Sequence, residues 1–278
     1  MATPLGELLG QSLALFRKYF ILLLVGAVVF GLVLGFGQQL LLGRMQREVD
    51  GTFQRMGIEV QDLQDLQRRY EQGDTSAMQD ILKRVQEQSG LDEAAIGKNV
   101  AGIWMRSMQA AGGYSLFVLL VSVIASAYFL VIVLKQKTQY KALFTESLGV
   151  VLPLIGLWLW VAIRSFVWIP FIGFITGIIL LPRFLCAPVF LVRDKKGVFE
   201  SASMSYKSTR GYWGKIFGNA VVMGILVVVL LIIIAMALAL FGTIGRLVSP
   251  IVTTLASAYM TIFMVQLALT VMQNPRKS

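Results

Sequence analysis

Six long apolar runs dominate the pattern of hydrophobic and polar positions along the chain. Each is about 20 residues or longer, the length that a helix needs to cross the hydrocarbon core of a bilayer. They cover residues 21–42, 113–134, 148–167, 171–192, 216–241 and 247–272. The pattern predicts an all-α polytopic membrane protein with six transmembrane helices. The first run is too long for a cleaved signal peptide, so we expect it to stay as an anchor.

A basic amphipathic segment, residues 193–215, separates the fourth and fifth runs. Apolar residues recur every three or four positions there and at its border, and most Lys and Arg residues fall between them. This spacing is typical of a helix that lies flat in the membrane surface. The apolar positions are Phe199, Ala202, Tyr206, Thr209, Trp213 and Ile216.

A hydrophilic stretch, residues 43–112, interrupts the first pair of runs. Helical spacing within 60–70 and 78–85, with a break at 73–76, predicts a helical cap. A third helix, carrying Ile96, Val100 and Ile103, is expected to run into the second span. The cap either packs on itself and its neighbours or offers a docking surface to a partner or a second copy.

These patterns divide the chain into five parts. Residues 1–42 form an interfacial helix and the first span, 43–112 the cap, and 113–192 the second to fourth spans. Residues 193–215 form the basic helix, and 216–278 the last two spans with a C-terminal tail.

Composition supports the membrane class and argues against catalysis. Of 278 residues, 56% are hydrophobic and 14% are charged, whereas a soluble domain is roughly 25% charged. The chain has no His and one Cys, Cys186, which we expect to be a buried filler. General acid–base catalysis has no His and no paired carboxylates within the runs to use. We therefore expect no catalytic residue, no metal site and no cofactor.

The distribution of Lys and Arg predicts the orientation. The short loops and tails on one side carry thirteen of these residues, and the other side carries only Arg246. The positive-inside rule then places both termini in the cytoplasm and residues 43–112 outside, in a bacterial cytoplasmic membrane. Each basic residue near an anionic membrane surface contributes about 1 kcal/mol to its attraction. Anionic lipid head groups are thus the expected partners, and no basic domain stands clear of the membrane to bind nucleic acid.

An internal repeat is visible at an offset of 193 residues. Both copies read Glu, four residues, Ser, four residues, Arg, one residue, Tyr and an aromatic residue, and each precedes an apolar run. The matched pairs are Glu7 and Glu200, Ser12 and Ser205, Arg17 and Arg210, Tyr19 and Tyr212, and Phe20 and Trp213. A weaker third copy covers 140–147. The chain then consists of three parallel units, each an interfacial helix followed by a transmembrane hairpin.

A family resemblance lies in the same region. The sequence APVFLVRD at 187–194, GVFESA at 197–202, Ser205-Tyr206 and RGYW at 210–213, followed by Gly218, resembles the signature of a bacterial family of six-span membrane proteins. That family includes the membrane domain fused to some glycerophosphodiester phosphodiesterases and inner-membrane proteins of the YciC type. The resemblance implies a fold and a location in the inner membrane. It leaves the activity open, and the long insert at 43–112 departs from the short loop of that family.

Two groups of residues are candidates for functional roles. Arg183 lies inside the fourth run between Pro182 and Pro188, and an intramembrane Arg is costly unless it faces protein, water or phosphate. It either reaches the interface through a bend at the two prolines or binds an anion, with Glu200, Glu146 or Glu7 as possible protein partners. The expected lipid or anion ligands are Arg183, Lys207, Arg210 and Lys215, and the expected interfacial anchors are Arg17, Tyr19, Phe20, Tyr212 and Trp213.

Two functions from different classes are compatible with these features. The first is a non-enzymatic scaffold, assembly or lipid-organising factor. Its possible partners are another membrane protein or a second copy of this chain. The second is a carrier or channel for a lipid or a small anionic amphiphile, which needs a polar path through the bundle. Candidates for that path are Gln38, Gln39, Ser126, Thr176, Thr253, Thr254, Ser257 and Gln266, with Arg183 as the anion site.

Overall fold

A computed structural model of the chain describes residues 4–55, 83, 93–136, 139–166 and 173–273. All the regular structure in these residues is helical. The helices are α1 (Leu5–Lys18), α2 (Phe20–Arg55), α3 (Glu93–Lys135), α4 (Tyr140–Phe166), α5 (Gly173–Leu180), α6 (Ala187–Arg193), α7 (Val198–Ser208), α8 (Trp213–Ala239) and α9 (Gly242–Gln273), and a 3₁₀ turn (Leu181–Phe184) joins α5 to α6.

The prediction of an all-α polytopic membrane fold is confirmed. Six helical segments of the described residues are long and apolar enough to cross a membrane. They are Phe20–Met45, Trp104–Lys135, Tyr140–Ser165, Thr176–Arg193, Trp213–Ala239 and Gly242–Gln273. Each overlaps one of the predicted runs, and the second begins earlier than predicted, at Trp104 rather than 113.

The helices of the first two spans extend into the predicted cap. Helix α2 continues to Arg55, and α3 begins at Glu93, so the prediction that a helix of the insert runs into the second span is confirmed. The predicted stripes at 60–70 and 78–85, with their break at 73–76, lie outside the described residues. The sequence Trp168-Ile169-Pro170 predicts a tight hairpin between the third and fourth spans, because Pro cannot continue a helix, and it too lies outside the described residues.

The chain divides into two compact units, residues 1–35 with 119–278 and residues 36–118. In the second unit, α2 and α3 approach so closely that a Cβ atom on Gly37 would overlap the ring of Phe117. In the first unit, the ring of Phe30 meets the rings of Tyr128 and Phe129 edge-on at centroid distances of 5.8 and 6.3 Å.

The core of the first unit is built around α9. Helices α1 and α8 both pack on α9. Helix α2 also meets it at Gly31, where an added Cβ atom would lie 2.6 Å from the Cα atom of Ile251. Because the clash would be with backbone, a larger residue at Gly31 could fit only if one helix moved. The core includes the fully buried side chains of Leu23, Val131, Ile132, Ala258, Ile262 and Phe263.

The predicted basic helix of residues 193–215 is wrong in extent. The chain turns after α6, where Lys195 has a φ of 51°, and helix α7 covers only Val198–Ser208. A second turn follows, and Trp213 is already the first residue of α8. The predicted third interfacial helix at 140–147 is likewise not separate, because it forms the first part of the continuous helix α4.

Candidate functional site

The fourth span is broken in the middle. It consists of α5, the 3₁₀ turn and α6, with Pro182 in the 3₁₀ turn and Pro188 at the start of α6. Proline has no N–H group and cannot make the hydrogen bond to the carbonyl four residues earlier. Inside a bilayer, freed backbone groups need other partners, because each unsatisfied group costs several kcal/mol.

Hydroxyl groups of the segment that follows α6 bond to backbone groups around the break. The hydroxyl of Ser205 donates to the carbonyl oxygen of Arg183 at 2.8 Å and accepts from the backbone N–H of Cys186 at 3.1 Å. The hydroxyl of Thr209 lies 3.1 Å from the same Arg183 oxygen and 2.9 Å from the carbonyl oxygen of Ser205. The Thr209 hydroxyl has one proton for these two carbonyl oxygens, whereas the Ser205 hydroxyl donates to Arg183. Ser205 is therefore the main donor to the Arg183 carbonyl oxygen.

The indole of Trp213 makes a further contact with the fourth span. The Nε1–H group of Trp213 donates to the carbonyl oxygen of Ile179 at 3.0 Å. The Trp213 ring also stacks on Phe217, with centroids 5.0 Å apart and planes 9° from parallel. The chain that leaves the fourth span at Arg193 therefore runs back beside it as far as Ile179.

This packing changes the interpretation of the amphipathic segment. The buried face of α7 and the turn after it carries small residues, namely Ser201, Ala202, Ser205 and Thr209. Phe199 and Tyr206, predicted to lie on the apolar face, are 67% and 46% exposed. Phe199 meets the ring of Trp160 on α4 edge-on at 4.9 Å. Helix α7 is thus attached to the bundle through its small residues and hydroxyls rather than through a stripe of large apolar side chains.

Arg183 is half-buried in the 3₁₀ turn, and its guanidinium carbon lies 5.1 Å from the centre of the Tyr206 ring. This distance is within the range of a cation–π contact. The carboxylates predicted as its partners are engaged elsewhere. Glu146 pairs with Lys135, Glu200 pairs with Lys196 at 2.8 Å, and Glu7 accepts from the amide of Gln11. Among the described residues, Arg183 is in no ion pair, so the predicted carboxylate partners are wrong.

The other predicted lipid ligands are exposed on three successive elements. Lys207 lies on α7, Arg210 in the turn after it and Lys215 in the first turn of α8. None of the three is in an ion pair with a described carboxylate. Arg193 in the same basic segment differs from them, because its guanidinium donates to the two carboxylate oxygens of Asp194 at 2.7 and 3.0 Å.

The pair of Lys196 and Glu200 is also an exception in the basic segment. The hydrogen bond from the ammonium group to the Glu200 carboxylate raises the pKa of Lys196, and the charge of that carboxylate acts in the same direction. Lys196 is thus held as a cation by a protein partner, whereas Lys207, Arg210 and Lys215 present their charges outward.

The predicted anchors separate into two groups. Arg17 and Phe20 are exposed, and Trp213 is half-buried. Tyr19 and Tyr212, by contrast, are only 4% and 6% exposed. A ring that anchors a protein in the head-group region must be accessible to lipid. These two tyrosines therefore belong to the protein core, and the prediction that their rings face lipid is wrong.

A partly open cavity of about 560 Å³ adjoins the break. Its polar side chains are the hydroxyl residues Ser126 and Thr261, and the rest of the lining is apolar. No sequence signal marked this cavity, because its lining residues resemble all others in the apolar runs. Five spans contribute to it through Ser126, Leu130, Leu157, Trp158, Val161, Ile178, Leu181, Pro182, Phe184, Leu185, Pro188, Val189, Ile216, Phe217, Ala220, Val221, Met260, Thr261, Met264 and Val265.

The candidates for a polar transport path do not line one common space. Ser126 lines the cavity. Gln38 and Gln39 are exposed on α2, and Gln266 is half-buried on α9. Four of the hydroxyls donate to backbone carbonyl oxygens at 2.7–3.0 Å, as is common for Ser and Thr in transmembrane helices. These four belong to Thr176, Thr253, Thr254 and Ser257.

Neither metal-ligating side chains nor known relatives identify a role for this site. Among the described residues, no group of three His, Cys, Asp or Glu side chains could hold a metal ion. Cys186 is fully buried, as expected for a filler, and its Sγ atom lies 3.8 Å from the carbonyl oxygen of Ala268. No protein-family model, curated protein or solved structure matches the chain.

Proposed function

We propose that this multi-pass membrane protein is a non-enzymatic factor that organises anionic lipids, or that assembles with a membrane partner, through the face formed by α7 and its flanking turns. The observation that carries the proposal is the attachment of α7 to the broken fourth span. Ser205 and Trp213 bond to the span, while Lys207, Arg210 and Lys215 point outward. Cations on a fixed support can hold a constant spacing of head groups.

The proposed location is the cytoplasmic membrane of a bacterium, with both termini and α7 on the cytoplasmic side and residues 43–112 outside. The excess of Lys and Arg in one set of loops supports this orientation. Two contacts are consistent with it, because they bring ends of three helices to one side. Lys18 Nζ lies 3.5 Å from Oε1 of Gln136, and Lys135 pairs with Glu146. Membership of the six-span family stays a proposal that rests on the segment 183–218.

A non-catalytic role is favoured by the chemistry of the chain. It contains no His, and the carboxylates of Glu146 on α4 and Glu200 on α7 are paired with lysines. The carrier alternative has one supporting observation, the cavity beside Arg183. Against it, Thr176, Thr253, Thr254 and Ser257 donate to backbone carbonyl oxygens rather than facing a shared path. The lipid-organising function is therefore the better supported of the two.

Quenching of tryptophan fluorescence by brominated lipids tests the proposal. The purified protein is reconstituted with brominated phosphatidylglycerol or brominated phosphatidylcholine, and the signal of Trp213 is obtained by difference from Trp213→Phe. We expect stronger quenching by the anionic lipid, because Arg210 and Lys215 flank the indole. The double variant Lys207→Glu/Arg210→Glu should lose this preference.

A matched control carries the same charge reversal in the predicted outer insert. Arg44 and Arg47 are both exposed on α2, and Arg44→Glu/Arg47→Glu should leave the preference at Trp213 unchanged. Equal quenching of the wild-type protein by the two lipids would contradict the proposal.

A further inference from the structure

The cavity beside the break has the properties of a site for a hydrocarbon chain. Its volume of about 560 Å³ lies within the range of roughly 300–1,000 Å³ that is common for sites of small molecules. A charged or strongly polar ligand would lose its hydration there and gain only the hydroxyls of Ser126 and Thr261. Because the lining residues belong to five membrane spans, lipid is the apolar molecule that surrounds them.

Arg183 lies next to the wall of this cavity. Its two sequence neighbours, Pro182 and Phe184, both line the cavity. The guanidinium rests on the Tyr206 ring, and that ring is 6.3 Å from the ring of Phe184. These two contacts link the cation to Phe184 in the cavity wall. A phospholipid has this arrangement of groups, with an anionic phosphate a short distance from the start of its chains.

The position of one exposed cation agrees with an anion at this place. Lys215 directly precedes Ile216 and Phe217, which line the cavity. Since Arg183 is half-buried and in no ion pair with a described carboxylate, an incoming phosphate would supply the counter-charge that an intramembrane arginine requires.

We propose that the cavity holds one acyl chain of an anionic phospholipid whose phosphate is bound by Arg183. This inference rests on the proposed lipid-organising function and deepens it, because it assigns one resident lipid per protomer. Arginine suits this role, since its planar guanidinium can donate two parallel hydrogen bonds to a phosphate. The resident lipid is distinct from the lipids that contact Lys207 and Arg210 at the surface.

Native mass spectrometry of the full chain provides the test. The protein is reconstituted in nanodiscs of phosphatidylcholine containing a minor fraction of phosphatidylglycerol, released, and progressively stripped of lipid. We expect one phosphatidylglycerol molecule per protomer to survive after the other lipids have left. If all lipids leave gradually and no species with one lipid per protomer persists, the proposal would be overturned.

Filling the cavity separates the chain site from general lipid contact. Ala220 lines the cavity on α8, and Ala220→Phe should reduce retention of the resident lipid roughly tenfold or more, as should the milder Ala220→Leu to a smaller degree. The matched control is Ala237→Phe on the same helix at an exposed position. Equal retention in Ala220→Phe, Ala237→Phe and wild type would overturn the proposal. If Ala220→Phe does not fold, Ala220→Leu decides by the same comparison.

Removal of the Arg183 charge tests the phosphate site. Arg183→Gln leaves the carbonyl oxygen that Ser205 and Thr209 contact, so α7 keeps its attachment. We expect about a tenfold loss of preference for phosphatidylglycerol over phosphatidylcholine, with part of it kept in Arg183→Lys. Arg164→Gln, at an exposed arginine of α4, should change nothing.

The outcomes distinguish the site from the proposed function. If Lys207→Glu/Arg210→Glu abolishes the preference for surface anionic lipid while the resident lipid stays, both proposals stand. If Ala220→Phe and Arg183→Gln retain the resident lipid as wild type does, the site is wrong although the surface function can still hold. A retained lipid without preference for an anionic head group would overturn the role of Arg183.

Discussion

The two segments that the sequence pairs at an offset of 193 residues share several local features but pack against different helices. In both, a short helix with a fully buried serine ends near a buried tyrosine, and a long helix follows. The backbone angles agree closely, with φ and ψ of −105° and 13° at Tyr19 and −109° and 2° at Tyr212. The long helices begin at the matched residues Phe20 and Trp213. Before the tyrosine the two segments differ, because residues 16–18 are helical whereas the matched residues 209–211 form a turn in which Gly211 has a φ of 79°.

The difference lies in what each short helix packs against. Helix α1 packs on α9, and the hydroxyl of Ser12 donates to the carbonyl oxygen of Leu8 in its own helix at 2.7 Å. Helix α7 packs on the broken fourth span, and the matching hydroxyl of Ser205 bonds to Arg183 and Cys186. Both segments bury a serine hydroxyl at the matched position. That hydroxyl bonds to a neighbouring element only in α7, which packs on the broken fourth span.

The weaker third copy shows which part of the pattern ends the short helix. Ser147 is buried like Ser12 and Ser205, and its hydroxyl donates to the carbonyl oxygen of Leu143. The residues after it lack the Arg, Tyr and aromatic positions of the other copies. Helix α4 continues without a break to Phe166. The Tyr and aromatic part of the motif therefore accompanies the break, whereas the serine alone does not.

The largest expected effect is common to both complete copies. Tyr19→Ala and Tyr212→Ala should each lower the free energy of unfolding by about 3–5 kcal/mol, because each removes a buried aromatic ring. Reversible unfolding in mixed micelles measures this free energy. Tyr140→Ala, at a half-exposed tyrosine, is the control and should cost much less. A cost at Tyr212 no larger than that at Tyr140 would contradict a stabilising role for the buried Tyr212 ring.

The next effect should separate the copies. Ser205→Ala removes the acceptor of the Cys186 N–H and the closest donor to the Arg183 carbonyl, and we expect a loss of about 1–3 kcal/mol in the same unfolding measurement. Ser12→Ala should cost less than about 1 kcal/mol, because the Leu8 carbonyl lies within a regular helix. Equal losses from the two substitutions would show that Ser205 has no special role at the break.

The smallest effect concerns the indole of the second copy. Trp213→Phe keeps an aromatic ring and removes the N–H that donates to Ile179, so we expect a loss of about 0.5–1.5 kcal/mol. The same substitution at the exposed Trp104 should be close to neutral. If unfolding in mixed micelles gives the same value for both variants, the contact with Ile179 contributes nothing to stability.

The sequence was sufficient for the fold class and the order of spans, because runs of about 20 apolar residues have few alternatives to a membrane helix. It also indicated the exposed cations at Lys207, Arg210 and Lys215. Helical spacing placed Phe199 and Tyr206 on the membrane-facing side of α7. It did not indicate that Ser201, Ala202 and Ser205 form the side that packs on the protein, where small residues allow the closer approach of backbones.

The partners of the break and the cavity could not be predicted from the sequence. Pro182 and Pro188 indicate a break in the fourth span, but only the fold determines that Ser205, Thr209 and Trp213 bond to backbone groups around it. The cavity depends on gaps between helices that are apolar on every side. Hydropathy therefore cannot separate a residue such as Ala220 in its wall from one such as Ala237 at an exposed position.

The most direct test of the lipid-organising role is extraction of the protein in polymer-bounded discs of native membrane, followed by mass spectrometry of the lipids and proteins in the discs. We expect enrichment of anionic phospholipid over the surrounding membrane, with one such molecule per protomer retained after further delipidation. Lipids at the composition of the bulk membrane, together with no stoichiometric lipid, would contradict that role.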